Sequence, residues 1–416
     1  MARSGSGSEW HGSNAIVDNL LQRIRASTAK QGKGRVTYLI GDNGTGKSRI
    51  LAKLAELLQQ ERPTWTVACI SNSIYDRFNQ RDIGRVRYLG ARNSPNAVFH
   101  AAIDRQLSRI ILQAMLVDRK SMAELSAAIG LRFSFGLRLQ TSDELEKLID
   151  MNKRRRQARA DLLTPRSLSM LARISKAGGA FEKLTEPQIR VFLRYLELNI
   201  DFDLYVRLPD DRVMQFEDLS TGEQNRTLLF AKILSAAQER SVFLIDEPEV
   251  SLHLHWQMGF HGTLMQLLSR LKRFHVVVAT HAPIVISEAA KLYPKDESNG
   301  VAVLRRSVND GHELGKHSPG WAPVDYKIHT FAEVASHEQL VLRYFQAAPY
   351  HAHGVGLDIA DTVLNVLEGR MSKVMATRRL LELGDAVGLT QEAKGHIDSA
   401  VDLIKRNVVR RLEAQN

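Results

Sequence analysis

One cysteine in 416 residues, Cys69, excludes an intrachain disulfide and fits a reducing compartment. No apolar run approaches the ~20 residues that span a bilayer, and the N-terminus has no apolar signal core. A cytoplasmic chain with no membrane partner is therefore expected. Sustained heptads and internal repeats are missing, which excludes a long coiled-coil arm and a solenoid. His253 and His255 have no cysteine or acidic third ligand at zinc spacing, so a zinc site is not expected. Clustered acids with a histidine, as nucleases use, do not occur either, so any cutting would belong to a partner. What is present in excess is positive charge, a formal +11 with pI near 9.7. Such a field favours polyanions, nucleic acid first and acidic membrane surfaces second. With 44% hydrophobic and 25% charged residues the chain is otherwise an ordinary globular protein, long enough for two or three domains or one elaborated domain.

The chain is organised around Val36 to Ser48, VTYLIGDNGTGKS. A β-branched and aromatic run feeds a glycine-rich turn, which feeds a helical pattern. Gly41, Gly46, Lys47 and Ser48 fit G-x-x-x-x-G-K-[ST], the nucleotide-binding P-loop. Glycines let backbone N–H groups curl around a phosphate, and the helix start adds its positive dipole end. Lys47 would reach the β- and γ-phosphates and the Ser48 hydroxyl would ligate Mg²⁺. The alternative is a plain glycine turn, and the strand–turn–helix setting favours the P-loop.

Met1 to Ser13 reads as a flexible lead-in. Ile16, Val17, Leu20, Leu21 and Ile24 are spaced as a helix, with Ser13 or Asn14 as N-cap. A helix over Arg49 to Gln60 and a buried strand over Thr64 to Ile70 open an α/β sheet. Ser71 to Ala97 is irregular and rich in Arg and Asn. Helices are predicted over Val98 to Val117, Ser142 to Leu163, Pro165 to Lys176 and Pro187 to Leu198, and strands over Leu131 to Leu139 and Asp201 to Leu208. The run Lys153, Arg154, Arg155, Arg156 is a solvated helix face or a phosphate contact. Val301 to Arg305 is the last expected strand, and helices alone follow from about Thr330. The expected segments are a flexible 1–13, a core first part 14–97, a mainly helical insertion 98–212, a core second part 213–308 and a helical partner-binding region 309–416.

Three motifs fall in the second core part. VFLIDEPE is a buried strand that delivers Asp246 and Glu247 at its C-terminal end. Asp246 would hold Mg²⁺, and Glu247 would orient and deprotonate the attacking water. LSTGEQ, Leu219 to Gln224, is a helix start with Ser220 as cap and Glu223 completing a capping box. HVVVATH is a β-branched run ending in His281.

In the order P-loop, LSTGEQ, D-E, histidine, the sequence resembles the ABC-type ATPases. The resemblance implies an α/β P-loop NTPase of ABC-ATPase type, with a helical insertion and an all-helical C-terminal extension. It implies two subunits paired head to tail around ATP and Mg²⁺. Ser220 and Gly222 of one copy would cap the γ-phosphate held by the other's P-loop, and His281 would sense that phosphate. The positions that match binding motifs are Gly41, Asn43, Gly44, Thr45, Gly46, Lys47, Ser48 and Arg49 at the loop, with Ser220, Gly222, Glu223 and Ser251 across from it. The metal positions are Ser48 and Asp246; the catalytic ones are Glu247 and His281.

D-E-P-E-x-S-L-H is similar to a soluble branch holding repair ATPases, overcoming-lysogenisation-type proteins and anti-phage defence ATPases. ISNSIYDRF, RYLGARNSPN and FAEVASHEQLVLRYFQAAP resemble the ATPase component of Septu-type and retron-associated systems. There the ATPase assembles with a separate nuclease or toxin and restrains or licenses it. Two features depart from the ABC pattern: no antiparallel strand pair opens the chain, and the nearest Q-loop candidates are Gln80 and Asn93. The expectation is an ATPase subunit that dimerises around ATP and controls such an effector, with nucleic acid as a possible further partner. The alternative is a repair or chromosome-maintenance ATPase acting directly on DNA.

Overall fold

The computed structural model describes residues 11–41, 44–73, 75–90, 100–137, 163–197, 202–250, 252–293, 299–306, 324–334, 353–384 and 391–413. In chain order the elements begin with α1 (His11–Thr28), β1 (Arg35–Gly41), α2 (Lys47–Gln60), β2 (Val67–Ser71), β3 (Val86–Leu89), α3 (His100–Val117), α4 (Ser121–Ile129) and β4 (Arg132–Leu137). There follow α5 (Pro165–Lys176), α6 (Glu186–Glu197), β5 (Phe202–Arg207), β6 (Val213–Gln215), α7 (Thr221–Ala236), β7 (Ser241–Asp246), α8 (Leu254–Leu268) and β8 (Phe274–Ala279). The remainder is α9 (Pro283–Leu292), β9 (Gly300–Arg306), β10 (Val324–Thr330), α10 (His353–Leu367), α11 (Lys373–Gly384) and α12 (Gln391–Glu413).

The chain divides into two compact units. One comprises Val17–Val36 and Ser48–Ala279. Its parallel strands run in the order β8, β7, β2, β3. Every residue of β2, β7 and β8 is buried, which fits their apolar runs Val67–Ile70, Val242–Ile245 and Val276–Ala279. The register places Ser71 beside Asp246 and Asp246 beside Ala279, so all three strands end level.

The same unit holds an antiparallel set in the order β4, β5, β6. Alternation along β5 sends Phe202, Leu204 and Val206 inward. They meet a cluster of rings in which Phe135 and Phe192 lie 4.2 Å apart and Phe181 meets Phe192 edge-on at 5.9 Å. Each buried ring of this kind contributes about 2–3 kcal/mol by area. The expected boundaries at 97/98 and 212/213 both fall inside this unit.

The other unit comprises Met1–Ile16, Thr37–Lys47 and Thr280–Asn416. Here β9 pairs parallel with β1 and antiparallel with β10. Tyr38 of β1 lies 6.2 Å from Phe331, which opens a 3-10 turn after β10. The helices α10, α11 and α12 share a small core of Val355, Ile359, Ala376, Leu380 and Ile397. A half-buried Arg379 donates to the buried Asp358 at 2.7 Å, tying α11 to α10.

Several expectations change. Residues 86–89 are a strand, although Ser71 to Ala97 reads as irregular; β3 is short, alternates Val and Tyr with Arg and Leu, and pairs along β2. Val301 to Arg305 is not the last strand. β10 follows it, and its sequence VDYKIHT alternates charge with apolar residues as a sheet edge requires. The lead-in is partly helical, since α1 starts at His11. Residues 142–162 of the predicted helix over 142–163, its basic run among them, and the loop 309–320 lie outside the described residues; Leu163 itself is described and is not helical.

Candidate functional site

Within the unit that holds residues 37–47, β1 ends at Gly41 and α2 begins at Lys47. Gly44 and Gly46 adopt φ of +82° and +88°, the left-handed region that a glycine enters without steric cost. A Cβ on Gly41 would sit 2.5 Å from the Leu304 carbonyl oxygen, so the backbone approach there admits no side chain. Lys47 is buried, and its Nζ donates to Gly41 O at 2.6 Å, folding the amine back over its own loop. Thr45 is buried as well. Thr280 N–H donates to Leu39 O at 3.0 Å, two residues before Gly41. His281 follows directly and is exposed. Asn43 lies outside the described residues, as does Ser251.

The next residue along α2, Ser48, begins the other unit, and there its hydroxyl donates to Asp246 Oδ1 at 3.0 Å. The two lie 198 positions apart in the chain. Asp246 is buried at the end of β7, and its carboxyl is pushed up to about 7. Burial is the main cause, the Ser48 bond opposes it, and the negative charges of Glu247, Asp76 and Glu249 add to it. Glu247 follows at φ +49°, a costly backbone for a non-glycine residue, pinned by its N–H donating to Ala279 O at 2.8 Å. The buried Asp246 carboxyl and the Ser48 hydroxyl are hard oxygen donors, and the negative charges around Asp246 favour a cation there. That set suits Mg²⁺. Among the described residues no cluster of three His, Cys, Asp or Glu side chains is arranged to hold a metal.

Ser220 caps α7 with the predicted capping box. Glu223 Oε2 accepts from Ser220 N–H at 2.9 Å and from its hydroxyl at 2.8 Å, and Glu223 N–H donates to Ser220 Oγ at 3.3 Å. Gln224 pins the preceding turn by donating from Nε2 to Leu219 O at 2.9 Å. Ser220 and Thr221 are exposed, whereas every residue from Thr227 to Ala236 is buried.

One member of this site was not anticipated. Lys232 of α7 is fully buried and donates to Ser71 O and to Asn72 Oδ1, both at 3.0 Å. Asn72 Nδ2 donates in turn to Asn225 O at 3.2 Å. Burial pulls the Lys232 ammonium down to about 7, with Asp76 opposing. Since Ser71 pairs in register with Asp246, this chain of bonds ties α7 to the strand end beside the acid. A lysine inside the apolar run LLFAKILSAA was the available signal. Of the Q-loop candidates, Gln80 is exposed and Asn93 lies outside the described residues; Asn72 occupies the strand end instead.

Residues 196–287 match a family model described as "AAA domain, putative AbiEii toxin, Type IV TA system". The match supports a P-loop AAA ATPase. It contains LSTGEQ, the Asp246–Glu247 strand and His281, and the mixed α/β architecture with its mainly parallel strands fits a P-loop NTPase-like fold. The chain is also 30% identical over 128 residues to Protein ea59 of Escherichia phage lambda. That alignment covers 30% of this chain and 22% of the relative, so the chain spans about a fifth of the relative's length. An AAA domain implies nucleotide binding and suggests ATPase activity. Among the described residues no helix is long and apolar enough to cross a membrane.

Proposed function

We propose that this chain is an ATP-binding and hydrolysing subunit that dimerises around ATP and controls a separate nuclease or toxin in anti-phage defence. The observation that carries the nucleotide reading is the Ser48–Asp246 contact, which joins the head of the P-loop helix to the acid at the end of β7. On this reading the Lys47 amine would serve the phosphates, and Ser48 and Asp246 are the residues that would hold Mg²⁺. Bound Mg²⁺ supplies charge neutralisation across the phosphate oxygens. Glu247 takes a proton from the attacking water at its carboxylate, and its pinned backbone fixes where that carboxylate starts from. The exposed start of α7 offers the Ser220 hydroxyl and helix N–H groups to the γ-phosphate of a second copy. The family description names a toxin system and the relative is a phage protein, which favours a role in the contest between phage and host.

Two experiments test the two halves. Glu247→Gln should retain ATP and shift to a dimer in light scattering with Mg·ATP; turnover at the wild-type rate would refute the assignment of the base. Affinity purification with the products of the neighbouring genes should recover the effector, and if none associates the control reading fails.

A further inference from the structure

Four connections meet at the N-terminal ends of β2, β7 and β8, and they are bonded to one another. Gly34 N–H donates to Lys272 O at 2.8 Å, Arg240 N–H to Arg273 O at 2.7 Å, and Arg240 Nε to Thr28 O at 2.9 Å. An Arg25–Glu61 ion pair ties the end of α1 to the end of α2. The Arg240 guanidinium lies 5.3 Å from the centre of the Trp65 ring. Residues 23–35, 60–66, 238–241 and 271–275 thereby form one edge. It carries nine Lys and Arg against two acids, a net +7 of the chain's +11. Both acids are already occupied, Glu61 by Arg25 and Glu239 by Arg273 at 2.8 Å. Lys30, Lys33, Arg62 and Lys272 are exposed and make no ion pair among the described residues.

Two independent observations point the same way. Arg62 and Arg240 hold φ of +46° and +68°, at turn positions where glycine or asparagine would be about 1 kcal/mol cheaper. The strain at Arg240 serves its bond to Thr28 O and its place over Trp65, whereas at Arg62 strained backbone holds an exposed cation on the edge. Positive charge on this edge is also a secondary influence inside. His275, buried against Ser27, is driven down to about 3 by burial first and then by Arg35 and Arg23.

We propose that this edge binds the phosphodiester backbone of duplex nucleic acid without reading its sequence. β7 is six residues long, so the edge lies about 17 Å from Asp246 at the strand's other end. A membrane surface fits less well, because a peripheral binder sets apolar residues beside its cations. Among the described residues none of the exposed large hydrophobics falls in these four connections. Single strands fit less well too, since of the two aromatic rings here Phe274 is buried, and Trp65 is only partly exposed and is covered by Arg240 rather than open for stacking. The inference stands apart from the effector reading and would survive its failure.

The test is fluorescence anisotropy with a labelled 30-base-pair duplex DNA, titrated from 50 to 200 mM salt. Wild type should bind with a log–log salt slope of about −4 or steeper. Lys33→Glu, Arg62→Glu and Lys272→Glu together should weaken binding at least 30-fold and flatten the slope by about 3. Retained binding of a fluorescent ATP analogue shows that the triple variant is folded. The matched control is Arg166→Glu, Lys176→Glu and Lys183→Glu, on α5 and the turn after it, all exposed. It should change affinity less than threefold, and duplex RNA should bind like duplex DNA. The proposal is overturned if wild type does not bind at 50 mM salt or if both triples weaken equally. It also fails if Lys153→Glu with Arg155→Glu alone abolishes binding, or if phosphatidylserine vesicles outcompete the duplex.

Discussion

Replacing Asp246 by asparagine isolates the cost of keeping a carboxylate out of water. The folded chain raises this acid from 3.8 to about 7, so roughly 3 units at about 1.4 kcal/mol each give about 4 kcal/mol as an upper figure. The sign follows from proton counting. Because the folded state holds the proton more tightly, this group's contribution is most favourable below pH ~4, falls as pH rises to about 7, and is flat above. Asparagine cannot ionise, yet it keeps an oxygen to accept from Ser48 and nearly the same volume. Without nucleotide, Asp246→Asn should therefore match wild type near pH 4 and exceed it at pH 8. For a unit of this size that is up to roughly 8 °C in Tm. Mg·ATP should reverse the order, since a bound cation favours the ionised acid: wild type gains about 2.7 kcal/mol at a hundredfold excess over Kd and the variant gains less. Differential scanning fluorimetry between pH 4 and 8, with and without Mg·ATP, reads both effects. A variant less stable than wild type at pH 8 without nucleotide would refute the reasoning, as would a difference that does not vary with pH.

Lys232 carries the opposite sign: its folded value is lowered, so its contribution improves as pH rises from about 7 to about 10.5. Lys232→Met should flatten that part of the pH–stability curve, at a cost of about 1–3 kcal/mol for the acceptors left behind; parallel curves would count against it. Ser220→Ala should cost about 1 kcal/mol of α7 capping, and combining it with Glu223→Ala should be clearly non-additive in a double-mutant cycle. Gly46→Ala meets no atom within 4 Å and should cost only ~1–2 kcal/mol of stability through added backbone strain, whereas Gly41→Ala drives a methyl into Leu304 O and should abolish nucleotide binding in calorimetry. Phe192→Ala should lower the denaturant midpoint by an equivalent of about 3–5 kcal/mol, and Phe192→Leu by far less.

The strand, glycine loop and helix over 36–60 and the acid-ended strand β7 were legible because each is set by contiguous residues. A glycine turn, a lysine and a hydroxyl must follow one another, and the acid must end an apolar strand. The aromatic layer was half legible: β4 and β5 alternate openly, but β6 spans only Val213 to Gln215 and is exposed at its start. Edge strands hid for a related reason. β3 and β10 bury one face or less, so their charges imitate loops. Contacts between distant segments were illegible in principle. Lys232 finds its acceptor 161 positions away, and the basic edge is assembled from four connections that share no local pattern.

The burial of α7 makes a forecast about mutational tolerance. From Thr227 to Ala236 the helix is enclosed on every side, while Ser220 and Thr221 at its tip stand in solvent. Substitutions in the shaft should be lost from any library sorted for folded protein, whatever selection follows. Substitutions at the tip should pass a sort for expression and be depleted only when survival depends on what the protein does. A saturation library of residues 220 to 236, sorted once each way, would separate the two classes at the start of the enclosed stretch.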